Sequence, residues 1–131
     1  MKLNLPITYN KFMKKVERNR HLLQTLLYKI KLSGRNIVGY GAPAKGNTLL
    51  NFFNIGVDIL DYIVDDSPLK QGLFTPGKHI PVVSSKTLDK KQPDYLLILA
   101  WNFADSIMKN NIKYKKSGGK FIIPVPKPII I

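Results

Sequence analysis

The sequence contains no cysteine and only two histidines, His21 and His79. The lack of cysteine excludes disulfide bonds, thiolate metal sites and cysteine nucleophiles, and two histidines are too few for a multi-histidine metal site. We therefore predict no metal site and assign no catalytic residue. No apolar run approaches the roughly 18 residues of a transmembrane span, and residues 1–6 lack an apolar signal core. These absences predict a cytoplasmic protein that does not bind a membrane.

Acidic residues are scarce, since eight Asp and Glu stand against 21 Lys and Arg, for a formal net charge of +13. Residues 1–35 contain nine basic residues and one acidic residue, whereas residues 36–131 contain twelve and seven. Such an excess attracts the phosphates of a nucleotide or nucleic acid, and it is equally typical of a solvated face or of a surface that meets an acidic partner. Modules that bind single strands usually interleave aromatic and basic side chains. Residues 11–35 contain only Phe12 and Tyr28 as aromatics, so nucleic acid is not the partner we expect.

The order of predicted elements indicates one α/β domain. Residues 10–32 have apolar side chains at three- and four-residue steps and Lys and Arg between them, which predicts a basic amphipathic helix. Predicted strands then alternate with predicted helices, an order typical of a parallel sheet. The predicted strands are 36–40, 59–64, 80–83, 95–100 and 120–124, and the predicted helices between them are 44–53, 85–88 and 103–111.

We therefore predict a single Rossmann-like domain over residues 1–131, with three layers and a mainly parallel sheet. It divides into the N-terminal helix (1–34), the α/β core (35–126) and a tail (127–131). The continuous apolar run 95–100 is typical of a central strand buried on both faces. Three isoleucines end the tail, and we expect them to pack either on this domain or against a second protein.

Three segments place candidate binding residues at the ends of predicted strands. In 36–48 a strand leads through a glycine-rich turn into a helix, which brings backbone N–H groups and a helix N-terminus to a phosphate. The second strand ends in Asp65 and Asp66, whose carboxylates accept hydrogen bonds from ribose or sugar hydroxyls. Trp101 and Asn102 follow the central strand at the same edge of the sheet, where open α/β sheets bind ligands.

The predicted substrate-binding residues are Gly39, Tyr40, Gly41, Lys45, Gly46, Asn47, Asp65, Asp66, Lys70, Gln71, Trp101 and Asn102. The glycines, Lys45 and Asn47 are assigned to the nucleotide or diphosphate, and the residues from Asp65 onward to the sugar or base.

Each assignment has a structural alternative. Gly39 and Gly41 would also serve to let a strand and a helix pack closely. Asp65 or Asp66 would also serve as the acceptor in the Ser67-Pro68 turn. A tryptophan such as Trp101 is often a core or interface residue. The third glycine comes two positions later than in the dinucleotide pattern G-x-G-x-x-G, which weakens an NAD assignment. The lysine precedes Gly46 instead of following it, which excludes a P-loop.

Four segments together resemble the C-terminal domain of S-adenosylmethionine-dependent nucleotide-sugar C-methyltransferases. They are residues 39–51, 64–72, 76–82 and 93–103, and the resemblance runs from the first helix to Pro126. In that family an N-terminal cysteine-rich zinc domain and a central methyl-donor domain precede a Rossmann-like C-terminal domain. The resemblance implies that the sugar nucleotide lies against the C-terminal domain, whereas the donor and the acid–base residues belong to the central one.

Neither of the preceding domains is found in this sequence. We therefore expect a sugar-nucleotide-binding or accessory unit that does not catalyse methyl transfer alone. The expected ligand is a nucleotide-diphosphate sugar. We expect no cofactor on this domain and S-adenosylmethionine only on a missing domain or a partner chain. Two alternatives stay open, an NAD(P)-binding oxidoreductase fragment and a basic nucleic-acid-binding module.

Overall fold

A computed structural model describes residues 7–41, 49–67, 71–125 and 127–131, with the side chains of the first helix from Lys14 onward. The helices are α1 (Ile7–Leu32), α2 (residues 49–52), α3 (Thr87–Lys90), α4 (Ala104–Asn110) and α5 (Ile112–Lys116), and a 3-10 turn covers Trp101–Phe103. The strands are β1 (Ile37–Tyr40), β2 (Leu60–Asp65), β3 (Val82–Ser84), β4 (Tyr95–Ile98), β5 (Lys120–Ile123) and β6 (Ile129–Ile130).

The described strands form one six-stranded sheet in the order β3-β2-β1-β4-β5-β6. Strands β1 to β5 pair in parallel, and β6 pairs antiparallel with β5. This is the strand order of dinucleotide-binding Rossmann domains, in which the direction of winding reverses between β1 and β4. The predicted α/β fold, with a mainly parallel sheet preceded by a helix, is confirmed.

Apolar clusters lie on both faces of the sheet and make three layers. Because successive side chains of a strand point to opposite faces, β2 contributes Ile63 to one cluster and Val64 to the other. The first cluster contains Leu23, Leu27 and Ile30 of α1 and Leu49 and Leu50 of α2. The second contains Leu88 of α3, Ala104 and Ile107 of α4 and Tyr114 of α5. Strand β4 lies at the centre and is buried along its whole length, as its apolar run predicts.

Helix α1 follows its predicted periodicity, because its buried residues recur at four- and three-residue steps. It is tied to the core by polar contacts as well as by packing. Gln24 Nε2 donates a hydrogen bond to the Phe53 carbonyl at 2.9 Å, and Lys31 forms an ion pair with Asp61 at 3.6 Å. Among the described helices, none combines the length and hydropathy that a membrane crossing requires.

The structure differs from the predicted elements in one region, and in another it decides between two predicted alternatives. The helical region after β4 extends beyond residue 111, because α5 follows α4 and packs Tyr114 into the second cluster. Asn111 separates the two helices, and its Nδ2 donates to the Ile107 carbonyl at 2.7 Å. In the tail, Ile129 and Ile130 pair with β5. The tail therefore packs on this domain, which was one of the two predicted alternatives.

Candidate functional site

Side chains from the carboxyl ends of three neighbouring strands meet at Asp66. Tyr40 is the last residue of β1, Asp66 follows β2 and Ser85 follows β3. The Tyr40 hydroxyl donates to Asp66 Oδ2 at 2.7 Å, and the Ser85 hydroxyl donates to Oδ1 at 2.5 Å. Asp66 therefore joins the ends of β1, β2 and β3 in one cluster, called the Asp66 cluster below.

A cleft of about 260 Å³ opens beside the Asp66 cluster. It is lined by Tyr40, Asp66, Ser85, Lys86, Leu88, Asp89, Asn110 and Asn111. Hydroxyl, carboxylate and amide groups dominate this wall, and these groups hydrogen-bond to sugar hydroxyls and to the polar edges of nucleobases. Pockets that enclose a whole drug-sized ligand hold about 300–1,000 Å³. This cleft therefore suits one ring of a larger ligand.

Tyr40 is a neutral hydrogen-bond donor in this cluster. Burial and, after it, the hydrogen bond to Asp66 raise its pKa to about 12, while a hydrogen bond with Asn111 acts in the opposite direction. The phenol keeps its proton at neutral pH and can continue to donate to the carboxylate. The cluster therefore combines a phenol donor with a carboxylate acceptor at a site formed by three strand ends.

The two described glycines of the glycine-rich turn have structural tasks. A Cβ on Gly39 would lie 3.0 Å from both Ile63 Cγ1 and Leu99 Cδ1, so this glycine permits close packing on β1. Gly41 has φ +86°, and its N–H donates to the Val64 carbonyl at 2.8 Å. That N–H is therefore already hydrogen-bonded within the sheet. Both glycines thus fit the structural role that was the alternative to ligand binding. The predicted ligands Lys45, Gly46 and Asn47 lie outside the described residues.

Asp65 forms a turn, whereas the neighbouring Asp66 reaches across the strand ends. Asp65 is 8% exposed, and its Oδ1 accepts a hydrogen bond from the Ser67 N–H at 2.7 Å. Its backbone carbonyl accepts one from Gln71 Nε2 at 3.1 Å. Of the two carboxylates, Asp65 is thus the acceptor in the Ser67 turn, which is the structural role predicted as the alternative to ligand binding. The predicted ligand Lys70 lies outside the described residues.

Trp101 and Asn102 open the 3-10 turn after β4, at the point where the winding of the sheet reverses. The Leu99 N–H donates to the Tyr40 carbonyl at 3.0 Å, which holds the exits of β4 and β1 together. Trp101 is 37% exposed and belongs to neither apolar cluster. A second cleft of about 310 Å³ is lined by residues 101–106. Within the described residues, no hydrogen bond joins Trp101 or Asn102 to the Asp66 cluster.

Ser85 and Asn111 belong to the cleft but are absent from the predicted ligands. Ser85 follows a predicted strand, so the same strand-end argument that selected Asp66 would have found it. Asn111 lies at the break between α4 and α5, and only tertiary packing brings it to Tyr40. In the part of the chain that the structure describes, no three His, Asp or Glu residues are grouped to hold a metal ion.

Comparison with known proteins assigns the chain to a family. Residues 1–126 match the C-methyltransferase C-terminal domain family. The chain belongs to this family. One relative, the C-methyltransferase NovU of Streptomyces niveus, is 38% identical over 123 residues, which are 94% of this chain and 29% of the relative. The resemblance predicted from the sequence is thereby confirmed, and the chain spans less than a third of the length of this curated relative.

The match covers every described residue of the site. The Asp66 cluster, its cleft and the Trp101 turn therefore all lie within a C-methyltransferase C-terminal domain.

Proposed function

We propose that this C-methyltransferase C-terminal domain binds the nucleotide-linked sugar on which a C-methyltransferase acts. In this proposal it is a binding unit that does not transfer a methyl group by itself. Family membership supports the reaction class. The binding role is supported chiefly by one observation, the convergence of Tyr40, Asp66 and Ser85 on a polar cleft at the carboxyl ends of three strands.

The chemistry of the cleft suits a ligand rich in hydroxyl groups. A carboxylate has about four lone-pair sites, so Asp66 can accept bonds from sugar hydroxyls while it retains those from Tyr40 and Ser85. The amides of Asn110 and Asn111, which also line the cleft, add donors and acceptors. Trp101, partly exposed at the neighbouring strand end, offers a ring face for stacking against a base or sugar. Lys86 lies on the rim as a cation for a phosphate.

S-adenosylmethionine, the methyl donor that the family implies, does not fit the described residues. Asp65, the acid that ends β2 where a donor ribose would bind, is buried and already bonded to Ser67. We therefore derive no step through the donor. In this proposal it is held outside the described residues, on another part of the protein or on a partner chain.

Titration calorimetry of the full chain tests the proposal. A thymidine-diphosphate sugar is the ligand, and NADH and a short DNA duplex are the controls. Saturable binding of the sugar nucleotide, at least about tenfold tighter than either control, is the expected result. Tighter binding of NADH would favour the oxidoreductase alternative. Equal and salt-sensitive binding of all three ligands would mean that the net charge alone explains the binding.

A further inference from the structure

A groove on α1 is separate from the Asp66 cleft. It holds about 440 Å³ and is lined by Lys14, Lys15, Arg18, Asn19, Leu22 and Lys127. Val125 packs against the same apolar cluster as Leu23 and Leu27, and Lys127 lines the groove together with residues of α1. The Tyr40 side chain belongs to the cluster on the other face of the sheet. The groove and the cleft are therefore independent surfaces.

Four cations line this groove, and in the described part of the chain none of them has an acidic partner. The ion pairs that α1 forms there use Arg20, with Glu17, and Lys31, with Asp61. Lys14, Lys15, Arg18 and Lys127 lie around one small volume. Like charges held this close repel one another, so an anionic occupant would lower the free energy of the assembly.

The groove is not only basic, because Leu22 lies in it and is 46% exposed. The methylene stems of lysine and arginine extend this apolar surface while their charged ends stay in water. An apolar strip edged by cations is complementary to a segment that alternates acidic and apolar side chains. An isolated phosphate would leave the apolar strip uncovered. A second copy of this chain would bring its own charge of +13 against the same sign.

We propose that this groove docks an acidic amphipathic segment of a partner protein. The apolar side chains of the segment contact Leu22, and its carboxylates pair with Lys14, Arg18 and Lys127. The proposal is independent of sugar-nucleotide binding, since the groove shares no residue with the Asp66 cleft.

Fluorescence anisotropy tests the docking with the full chain and a labelled peptide of alternating Glu and Leu residues. We expect saturable binding. The variant Lys14→Gln/Arg18→Gln/Lys127→Gln is expected to bind about tenfold more weakly, the loss that follows from removing three exposed charge pairs. The control variant Lys113→Gln/Lys115→Gln/Lys116→Gln removes the same charge from α5 and is expected to keep its affinity. Circular dichroism checks that both variants are folded.

A second peptide, of the same charge but with Ser in place of Leu, tests the apolar strip. It is expected to bind about tenfold more weakly than the Glu-Leu peptide. Equal weakening by the two triple variants would overturn the proposal, because net charge alone would then explain binding. It would also be overturned by equal affinity for the two peptides, by a DNA oligonucleotide that binds the groove more tightly than either, or by no saturable binding of the Glu-Leu peptide.

Discussion

Asp66 shows what one side chain does at the strand ends. It is the acceptor for both Tyr40 and Ser85, so it links three strands and at the same time lines the cleft. The carboxylate of its neighbour Asp65 instead accepts a hydrogen bond from the Ser67 N–H. Two adjacent acids at the end of one strand thus have different tasks, because successive side chains leave a strand in opposite directions.

Replacing this carboxylate tests the site assignment. Asp66→Ala is expected to weaken binding of a thymidine-diphosphate sugar by about tenfold, because the central acceptor of the cleft is lost. It should also lower the free energy of unfolding by about 1–3 kcal/mol, since two hydrogen bonds to a charged group disappear. Calorimetry and urea unfolding measure the two effects. Asp58→Ala removes an exposed acid near the amino end of β2 and should leave affinity unchanged; unchanged affinity in folded Asp66→Ala would remove Asp66 from the site.

The buried phenols predict an alkaline loss of stability. Burial raises the pKa of Tyr40 and of Tyr114 to about 12 from the ordinary value of 10.0. Because the folded state holds these protons more tightly, their contribution is fully present below about pH 10 and is lost as the pH rises through about 12. Urea unfolding across this interval is expected to show a falling free energy of unfolding. Tyr114→Phe should flatten that fall, whereas Tyr28→Phe, which alters an exposed phenol, should leave it unchanged.

Gly39 separates a packing role from a ligand role. Gly39→Ala is expected to lower the free energy of unfolding by about 1–3 kcal/mol, because the new methyl group would crowd Ile63 and Leu99. Gly56→Ala is the control, since the nearest atom there belongs to the Asp58 side chain. Urea unfolding compares the two variants. Equal stability would mean that the core on this side of β1 adapts without cost.

At the scale of elements, hydrophobic periodicity predicted most of the framework. The long apolar stripe of α1 is compatible only with an amphipathic helix, and the continuous apolar run of β4 only with a buried strand. The structure contains both. Helix α5 was missed because the polar residues Asn110 and Asn111 read as the end of the preceding helix. What forms it is burial of Tyr114, whose hydroxyl donates to the Pro93 carbonyl at 2.9 Å. That contact spans distant parts of the chain and leaves no local pattern.

Sequence reasoning also selected part of the residues that form the candidate site. The rule that ligands meet the carboxyl ends of parallel strands selected Tyr40 and Asp66, which lie together. It gave no means of dividing tasks between Asp65 and Asp66, since both are equally able to accept a turn hydrogen bond. Nor could it find Asn111, which comes from the break between two helices on one face of the sheet.

Strand β6 offers a test at this scale. The N–H groups of Phe121 and Ile131 donate to each other's carbonyls, at 2.9 and 2.8 Å. The adjacent pair, Ile122 and Ile130, is therefore a non-hydrogen-bonded pair. Ile131→Pro removes one ladder bond and is expected to lower the free energy of unfolding by about 0.5–1.5 kcal/mol. Ile130→Pro removes an N–H that points away from β5 and should cost less, so equal losses in urea unfolding would contradict the assigned register.

At the scale of the whole molecule, the polar cleft and the basic groove lie on separate faces. The polar cleft is lined by residues of α3 and α4 and by Asn111, whereas the basic groove is lined by residues of α1 and by Lys127. We therefore expect the proposed sugar nucleotide and the proposed partner segment to bind together without competition. The family membership adds that such a domain occurs within a much longer C-methyltransferase, as in NovU.

The net charge of +13 predicts a salt effect on stability. Unscreened repulsion between like charges destabilises a compact state, and raising the salt concentration from about 10 mM to about 100 mM shortens the Debye length from about 30 to about 10 Å. The melting temperature is expected to rise over this interval. Differential scanning calorimetry measures it, and a fall would mean that favourable ion pairs outweigh the repulsion.

We propose above all that the carboxyl ends of β1, β2 and β3 bind a sugar nucleotide. An NMR titration of backbone amides with a thymidine-diphosphate sugar tests it most directly, with NADH and a short DNA as controls. We predict saturable shifts at Tyr40, Asp66, Ser85 and Asn111 with the sugar nucleotide alone. Silence with every ligand, or saturable shifts that leave these four residues unmoved, would contradict the claim.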